Sequence, residues 1–201
     1  MKITLLGTGT SQGVPVIACS CDVCLSDNQK DKRLRSSVMI EVDGQTIVVD
    51  TGPDFRQQML RENVQKVDAI LFTHEHKDHI AGMDDVRAFN HKWKKDMEIF
   101  TTKRVGDALK REFHYVFSGD DCPGIPRVNI NTISNTPFKV NETEIVPIEV
   151  MHYKMPVFGF RIQDFVYITD VSYISDKEKE KIKDADLLII DSLRKKKHIS
   201  H

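Results

Sequence analysis

The feature that most constrains this chain is the hexapeptide His74-Glu75-His76-Lys77-Asp78-His79, together with what precedes it. Ala69-Ile70-Leu71-Phe72-Thr73 is a short apolar run and reads as a buried strand. His74 and His76 follow two apart at its end, where alternate side chains point the same way. Asp78 then reads as a helix N-cap, and Ile80-Ala81-Gly82-Met83 as the helix it opens. The cluster is therefore expected on a strand-to-helix loop, where a rigid frame presents functional groups at an edge. Three imidazoles and a carboxylate suit zinc, iron or manganese. A His-rich solvated loop that chelates by accident is the bland alternative, and the ligands found elsewhere in the chain argue against it.

At 201 residues the chain can bury a core, as one domain or one domain with an elaboration. Its formal net charge of -1 gives no bulk attraction to nucleic acid or anionic membrane. No apolar run approaches membrane-spanning length, and the first one is too short for a signal sequence, so a cytoplasmic address is expected. Of four cysteines, Cys19, Cys21 and Cys24 form a C-x-C-x2-C cluster while Cys122 stands apart. In a reducing compartment such a cluster points to metal or redox chemistry before disulfides. Three thiolates fill three corners of a structural zinc site; Cys122, a His or an Asp would supply the fourth.

Strands are expected near residues 2–6, 37–42, 46–49, 69–72, 98–101, 128–133, 144–150, 157–162, 165–169 and 187–191. Asp43-Gly44 joins the second and third as a type I′ hairpin turn. Helices are expected from Pro53 to about 62, after the His loop to about 89, over 104–113 and over 177–183. The Lys–Glu alternation in the last reads as a solvated face. There are no internal repeats. Long loops cover 7–35 and 118–126. This order fits two packed sheets covered by helices.

Acids and imidazoles recur at strand ends. Asp50 closes Ile47-Val48-Val49, His152 follows Ile148-Glu149-Val150-Met151, and Asp170 closes Val166-Tyr167-Ile168-Thr169. Singly, a strand-end Asp is usually a turn former. Beside the His loop, they supply the nitrogen and oxygen donors that a two-metal hydrolytic site needs. The glycine-rich stretch Gly7-Thr8-Gly9-Thr10-Ser11-Gln12-Gly13 lacks the Lys-Ser/Thr ending of a nucleotide-binding P-loop.

In its order of Asp50, H-x-H-x-D-H at residues 74–79, His152 and Asp170, the chain resembles the metallo-β-lactamase superfamily. The resemblance covers nearly all of it. It implies an α/β fold, an αββα sandwich of two mixed sheets covered by helices, with a pair of divalent ions, zinc or manganese, at one edge. By that analogy His74, His76 and His152 hold one ion, Asp78 and His79 the other. Asp170 bridges them, and Asp50 braces the His loop from behind the ligands.

Residues 7–15, the thiol cluster, Arg35-Ser36-Ser37 and residues 82–90 further resemble the PhnP-type cyclic-phosphate phosphodiesterases. That branch implies a small cyclic or activated phosphodiester as substrate, attacked by a metal-bound hydroxide, with Asp78 and Asp170 in the catalytic machinery. His201, or else His198, is the candidate general acid. A tRNA-processing nuclease and a lactone or thioester hydrolase of the same fold are the alternatives, followed by a non-catalytic metal-binding protein. A nucleic-acid substrate is not favoured, a membrane partner is not expected, and a homodimer is left open. The branch normally adds one more metal-binding His beyond the last core helix. The chain is thus expected to lack a C-terminal segment and to hold its second ion weakly.

Overall fold

The computed structural model describes residues 1–119 and 123–193. Cys122, Arg194-Lys195-Lys196-Lys197, His198 and His201 lie outside the described residues. The chain divides into two compact units, residues 1–132 and 133–201. Each contains one mixed β-sheet with helices.

The first unit is built on six strands in sequence order: β1 (Lys2–Gly7), β2 (Ser37–Val42), β3 (Gln45–Val49), β4 (Ala69–Leu71), β5 (Met97–Thr101) and β6 (Val128–Thr132). β1, β2 and β3 run antiparallel; β3 to β6 run parallel. The β2–β3 turn falls on Asp43 and Gly44 with φ of 48° and 74°. Both are left-handed, as a type I′ turn requires. Val38 then pairs with Val49 and Ile40 with Ile47, so the fully buried residues of the two strands meet. Leu6, Val48, Ile70, Phe72, Ile99, Phe55, Met83 and Leu109 form the core of this unit.

Because β3, β4 and β5 are parallel, their carboxyl ends lie along one edge of the sheet. Asp50 leaves the first, residues 72–79 the second, and helix α5 (Lys103–Glu112) follows the third. That edge is where α/β sheets place their ligands.

Four shorter helices precede α5: α1 (Asp22–Leu25), α2 (Phe55–Arg61), α3 (Lys77–Ile80) and α4 (Arg87–Trp93). α2 begins two residues after Pro53, and Asp54 at its start makes no capping bond. Its carboxylate instead accepts from the Arg35 backbone N–H (2.8 Å) and guanidinium (3.0 Å). The expected single helix to residue 89 is broken into α3, a 3-10 turn over Met83–Val86 and α4. Asp78 is not an N-cap: His76 occupies that place, and Asp78 lies inside the helix with its carboxylate 3.2 Å from His79 Nε2. No helix among the described residues is long and apolar enough to cross a membrane.

The second unit carries the sheet β11-β10-β9-β8-β7. Its strands are β7 (Phe138–Val140), β8 (Thr143–His152), β9 (Met155–Ile162), β10 (Phe165–Ile168) and β11 (Leu187–Ile190). Only β10 and β11 are parallel, joined through helix α6 (Asp176–Glu180). Ile148, Val150, Val157, Val166 and Ile168 are its packed centre. β7, three residues long, escaped the sequence reading.

The solvated face expected on α6 is interrupted by Glu178, which is 4% exposed. Its carboxylate accepts from Asn135 Nδ2 (2.9 Å) and the Glu149 backbone N–H (2.9 Å), and pairs with Lys181 at 2.8 Å. Burial pushes the acid upward, but these donors together outweigh it and hold Glu178 below its ordinary value of 4.5. A depressed carboxylate contributes stability that is present above the unfolded value and lost as pH falls through the folded one. Thermal denaturation of Glu178→Gln should therefore show a lower melting temperature near neutrality. The difference from wild type should shrink on acidification below about pH 4. A constant difference across that range would remove the carboxylate's charge from the account.

Candidate metal centre

Asp50 organises the ligands of the first unit. It is fully buried and has left-handed φ of 63°. Its backbone N–H continues the sheet by donating to Leu71 O (2.9 Å). Asp50 Oδ1 accepts the Thr73 backbone N–H at 2.9 Å. Oδ2 accepts the Thr73 hydroxyl at 2.8 Å and stands 2.7 Å from His79 Nδ1.

Proton counting then assigns Nδ1 of two rings as a donor. A carboxylate only accepts, so His79 Nδ1 is the donor to Asp50, which turns Nε2 toward Asp78 Oδ2, the side where an ion would take its lone pair. The Thr73 hydroxyl has one proton and gives it to Asp50. His74 Nδ1, 2.9 Å from that same oxygen, must therefore donate to it. His74 Nε2 is left as the lone-pair nitrogen. Thr73 was overlooked in the sequence, where it reads as one more strand residue.

The donor atoms meet at distances a metal would set. His74 Nε2 and His76 Nδ1 are 3.1 Å apart, and Asp78 Oδ2 and His79 Nε2 are 3.2 Å apart. Two ligands on one tetrahedral ion at its usual bond lengths lie about 3.3 Å from each other. The residues present therefore fit divalent ions. His74 and His79 are 1% exposed, so their rings are held by packing as well as by hydrogen bonds.

Backbone contact closes the frame. Thr51 N–H donates to His79 O and Gly82 N–H to Thr51 O, both at 2.8 Å. A Cβ on Gly52 would lie 2.1 Å from Asp78 O, and one on Gly82 2.1 Å from Gly52 O. Only glycine permits this approach.

In the second unit His152 ends β8, and Asp170 follows β10 with φ of 55°. His152 Nε2 and Asp170 Oδ2 are 3.9 Å apart, and Thr169 Oγ1 donates to Asp170 Oδ1 at 3.2 Å. Among the thiols, Cys19, Cys21 and Cys24 bring their sulfurs within 4.8 Å of one another, on and beside α1. The Val16 N–H donates to Cys24 Sγ at 3.4 Å.

Comparison with known proteins bears on the family and the fold. A family model described as "Beta-lactamase superfamily domain" matches residues 45–201. The chain belongs to the metallo-β-lactamase superfamily and has its fold, two mixed sheets with helices. Within that superfamily it resembles PhnP. A diphosphatase from the PhnP family superposes with a TM-score of 0.91 and 37% identity, over 99% of this chain and 77% of that one. Human tRNase Z, short form, shares the fold at 20% identity, with a TM-score of 0.66 over 94% of this chain and 76% of the other. An octanoyltransferase of Porphyromonas gingivalis is 39% identical over 100% of this chain, which spans 41% of that relative's length.

Asp50→Asn should disturb the tautomer of His79, and Thr73→Val should remove the acceptor that orients His74. Each should weaken divalent-metal affinity by roughly 10- to 100-fold in chelator competition, the usual effect of losing a ligand's outer partner. Wild-type affinity in both variants would show that the ligands orient themselves.

Proposed function

We propose that the chain is a divalent-metal hydrolase acting on a small phosphodiester or diphosphate-linked substrate. The observation that carries this reading is the pair of rings anchored through Nδ1. Asp50 and Thr73 commit buried hydrogen bonds to presenting the lone pairs of His74 and His79, an arrangement with no purpose in a merely structural loop. The 37% identity to a PhnP-family diphosphatase supports phosphorus over carbon as the centre attacked.

In this reading His74 Nε2, His76 Nδ1, Asp78 and His79 Nε2 hold the ions with His152 and Asp170, in the order the superfamily uses. Ions held there, zinc or manganese, supply Lewis acidity to water and to phosphoryl oxygen alike. The chain's own part is to keep the donors oriented before substrate arrives. Asp50 accepts from Thr73 and His79, and the close backbone approaches at Gly52 and Gly82 hold the loop in place. The cytoplasm, which keeps thiols reduced, suits the free Cys19, Cys21 and Cys24, which we assign to a separate structural zinc.

A second reading, an acyl thioester hydrolase, is favoured by the octanoyltransferase relative. One assay panel separates the two: an activated phosphodiester, a diphosphate diester, an octanoyl thioester and a precursor tRNA, each with Mn²⁺ or Zn²⁺. Turnover should be greatest on the phosphorus substrates. His76→Ala should lower it by at least about 100-fold while circular dichroism remains native. Octanoyl thioester as the preferred substrate would replace the first reading with the second. Undiminished turnover by His76→Ala would remove the His loop from catalysis.

Cys21→Ser tests the thiol site. Elemental analysis should show about one zinc fewer per chain, and melting temperature should fall more than initial turnover does. Unchanged metal content would mean that the thiols hold no ion.

A further inference from the structure

Two residues of the His loop are not ligands in the proposed assignment. Glu75 and Lys77 alternate with His74, His76 and Asp78, and both reach α5. Arg104 places Nε 2.6 Å and a terminal nitrogen 2.5 Å from Glu75 Oε1. Lys77 Nζ pairs with Glu112 at the other end of the helix. The two anchor points on α5 are eight residues apart, about 12 Å along the axis.

α5 is suited to act as a strut. It is the longest helix among the described residues. Thr102 caps it by accepting from the Val105 N–H, and Val105, Gly106, Ala108 and Leu109 are buried. Gly106 lies close enough to β6 that an added Cβ would sit 3.4 Å from Ile130 Cγ2. The helix is thus fixed to the sheet independently of the loop.

Of the two pairs, Glu75–Arg104 is the stronger. The acids Glu75 and Glu112 are 16% and 29% exposed, and their cations Arg104 and Lys77 are 55% and 65% exposed. Glu75 Oε2 is buried with no hydrogen-bond partner among the described residues, so Arg104 carries the compensation of a carboxylate largely removed from water. A partly exposed ion pair of this kind has only a small role in stability. It does have a geometric one: it pins the residue between His74 and His76.

We infer that Arg104, with Glu112, is a positioning residue. Its ion pair to Glu75 holds the His loop in the register at which His74 and His76 present their nitrogens to a metal. This rests on the reading of the loop as a divalent-metal site.

The test uses the sign of the charge change. Arg104→Glu adds negative charge beside the cations, so unaided electrostatics would tighten metal binding; loss of the clamp would loosen it. Glu75→Arg breaks the same pair from the other side. The double variant Glu75→Arg/Arg104→Glu restores the pair with its polarity reversed. Dissociation constants for Zn²⁺ from chelator competition, the visible spectrum of the Co²⁺-substituted protein and melting temperature are measured for all three, with His76→Ala as control and Cys21→Ser to subtract the signal of the thiol site.

Arg104→Glu should weaken Zn²⁺ by roughly three- to tenfold and shift the Co²⁺ spectrum, and the double variant should recover most of both. Unchanged or tighter binding in Arg104→Glu overturns the inference. So does a loss in which the double variant stays as weak as the single ones, or one that merely follows melting temperature with the Co²⁺ spectrum unmoved. If His76→Ala itself leaves metal binding intact, the metal reading fails first, and the two failures are told apart.

Discussion

The carboxylate of Asp50 is the point on which the metal-binding loop depends. Three donors converge on it: the Thr73 amide, the Thr73 hydroxyl and the His79 imidazole. Its burial makes each of these bonds stronger than it would be in water, and makes an unpaired Asp50 correspondingly costly. The folded state therefore cannot keep Asp50 without also keeping both histidines oriented. An ordinary turn-forming aspartate would face solvent and impose nothing on its neighbours.

This arrangement follows from strand direction. β3, β4 and β5 are parallel, so Asp50, the His loop and the start of α5 emerge along one edge although they are separated in sequence by the α2 and α4 crossovers. The close approach of Gly52 to Asp78 O and of Gly82 to Gly52 O then leaves no room for the loop to move as a whole. Strand ends give the coarse placement, the glycines bring backbones into contact, and the Asp50 hydrogen bonds set the ring orientations. Each step works at a finer length scale than the one before.

Much of this was legible in the sequence because periodic burial and turn chemistry are local signals. The Asp43-Gly44 hairpin, the strand leading into His74 and the strand-end positions of Asp50, His152 and Asp170 are of that kind. Where reading by residue type failed, a tertiary partner had altered a residue's usual role. Asp78 stands where an acid would cap a helix, yet it lies inside the helix and faces His79. Glu178 sits in a Lys–Glu run that looks solvated, but Asn135 and the Glu149 amide draw it inside. The role of Thr73 could not be seen in advance, because a threonine at a strand end becomes a relay only once a specific carboxylate and a specific imidazole lie on either side of its hydroxyl.

The two groups of metal-binding residues differ in a way that bears on what each can do. Soft thiolates in a set such as Cys19, Cys21 and Cys24 neutralise a zinc ion and favour a closed shell, which stabilises a loop but leaves no position for substrate. Imidazoles with carboxylates leave the ion more positive and its geometry more open, as activating water requires. The surroundings follow the same division. The thiols sit on a short helix with no buried residue of its own, where a metal could substitute for a missing core. The histidines sit in a stretch whose Phe72, Ile80 and Met83 belong to the buried core, and Asp50 and Thr73 hold their rings. A site whose ligands are held by protein contacts can offer its ion's remaining positions to water and substrate, which is why we place the chemistry at the histidines and the structural role at the thiols.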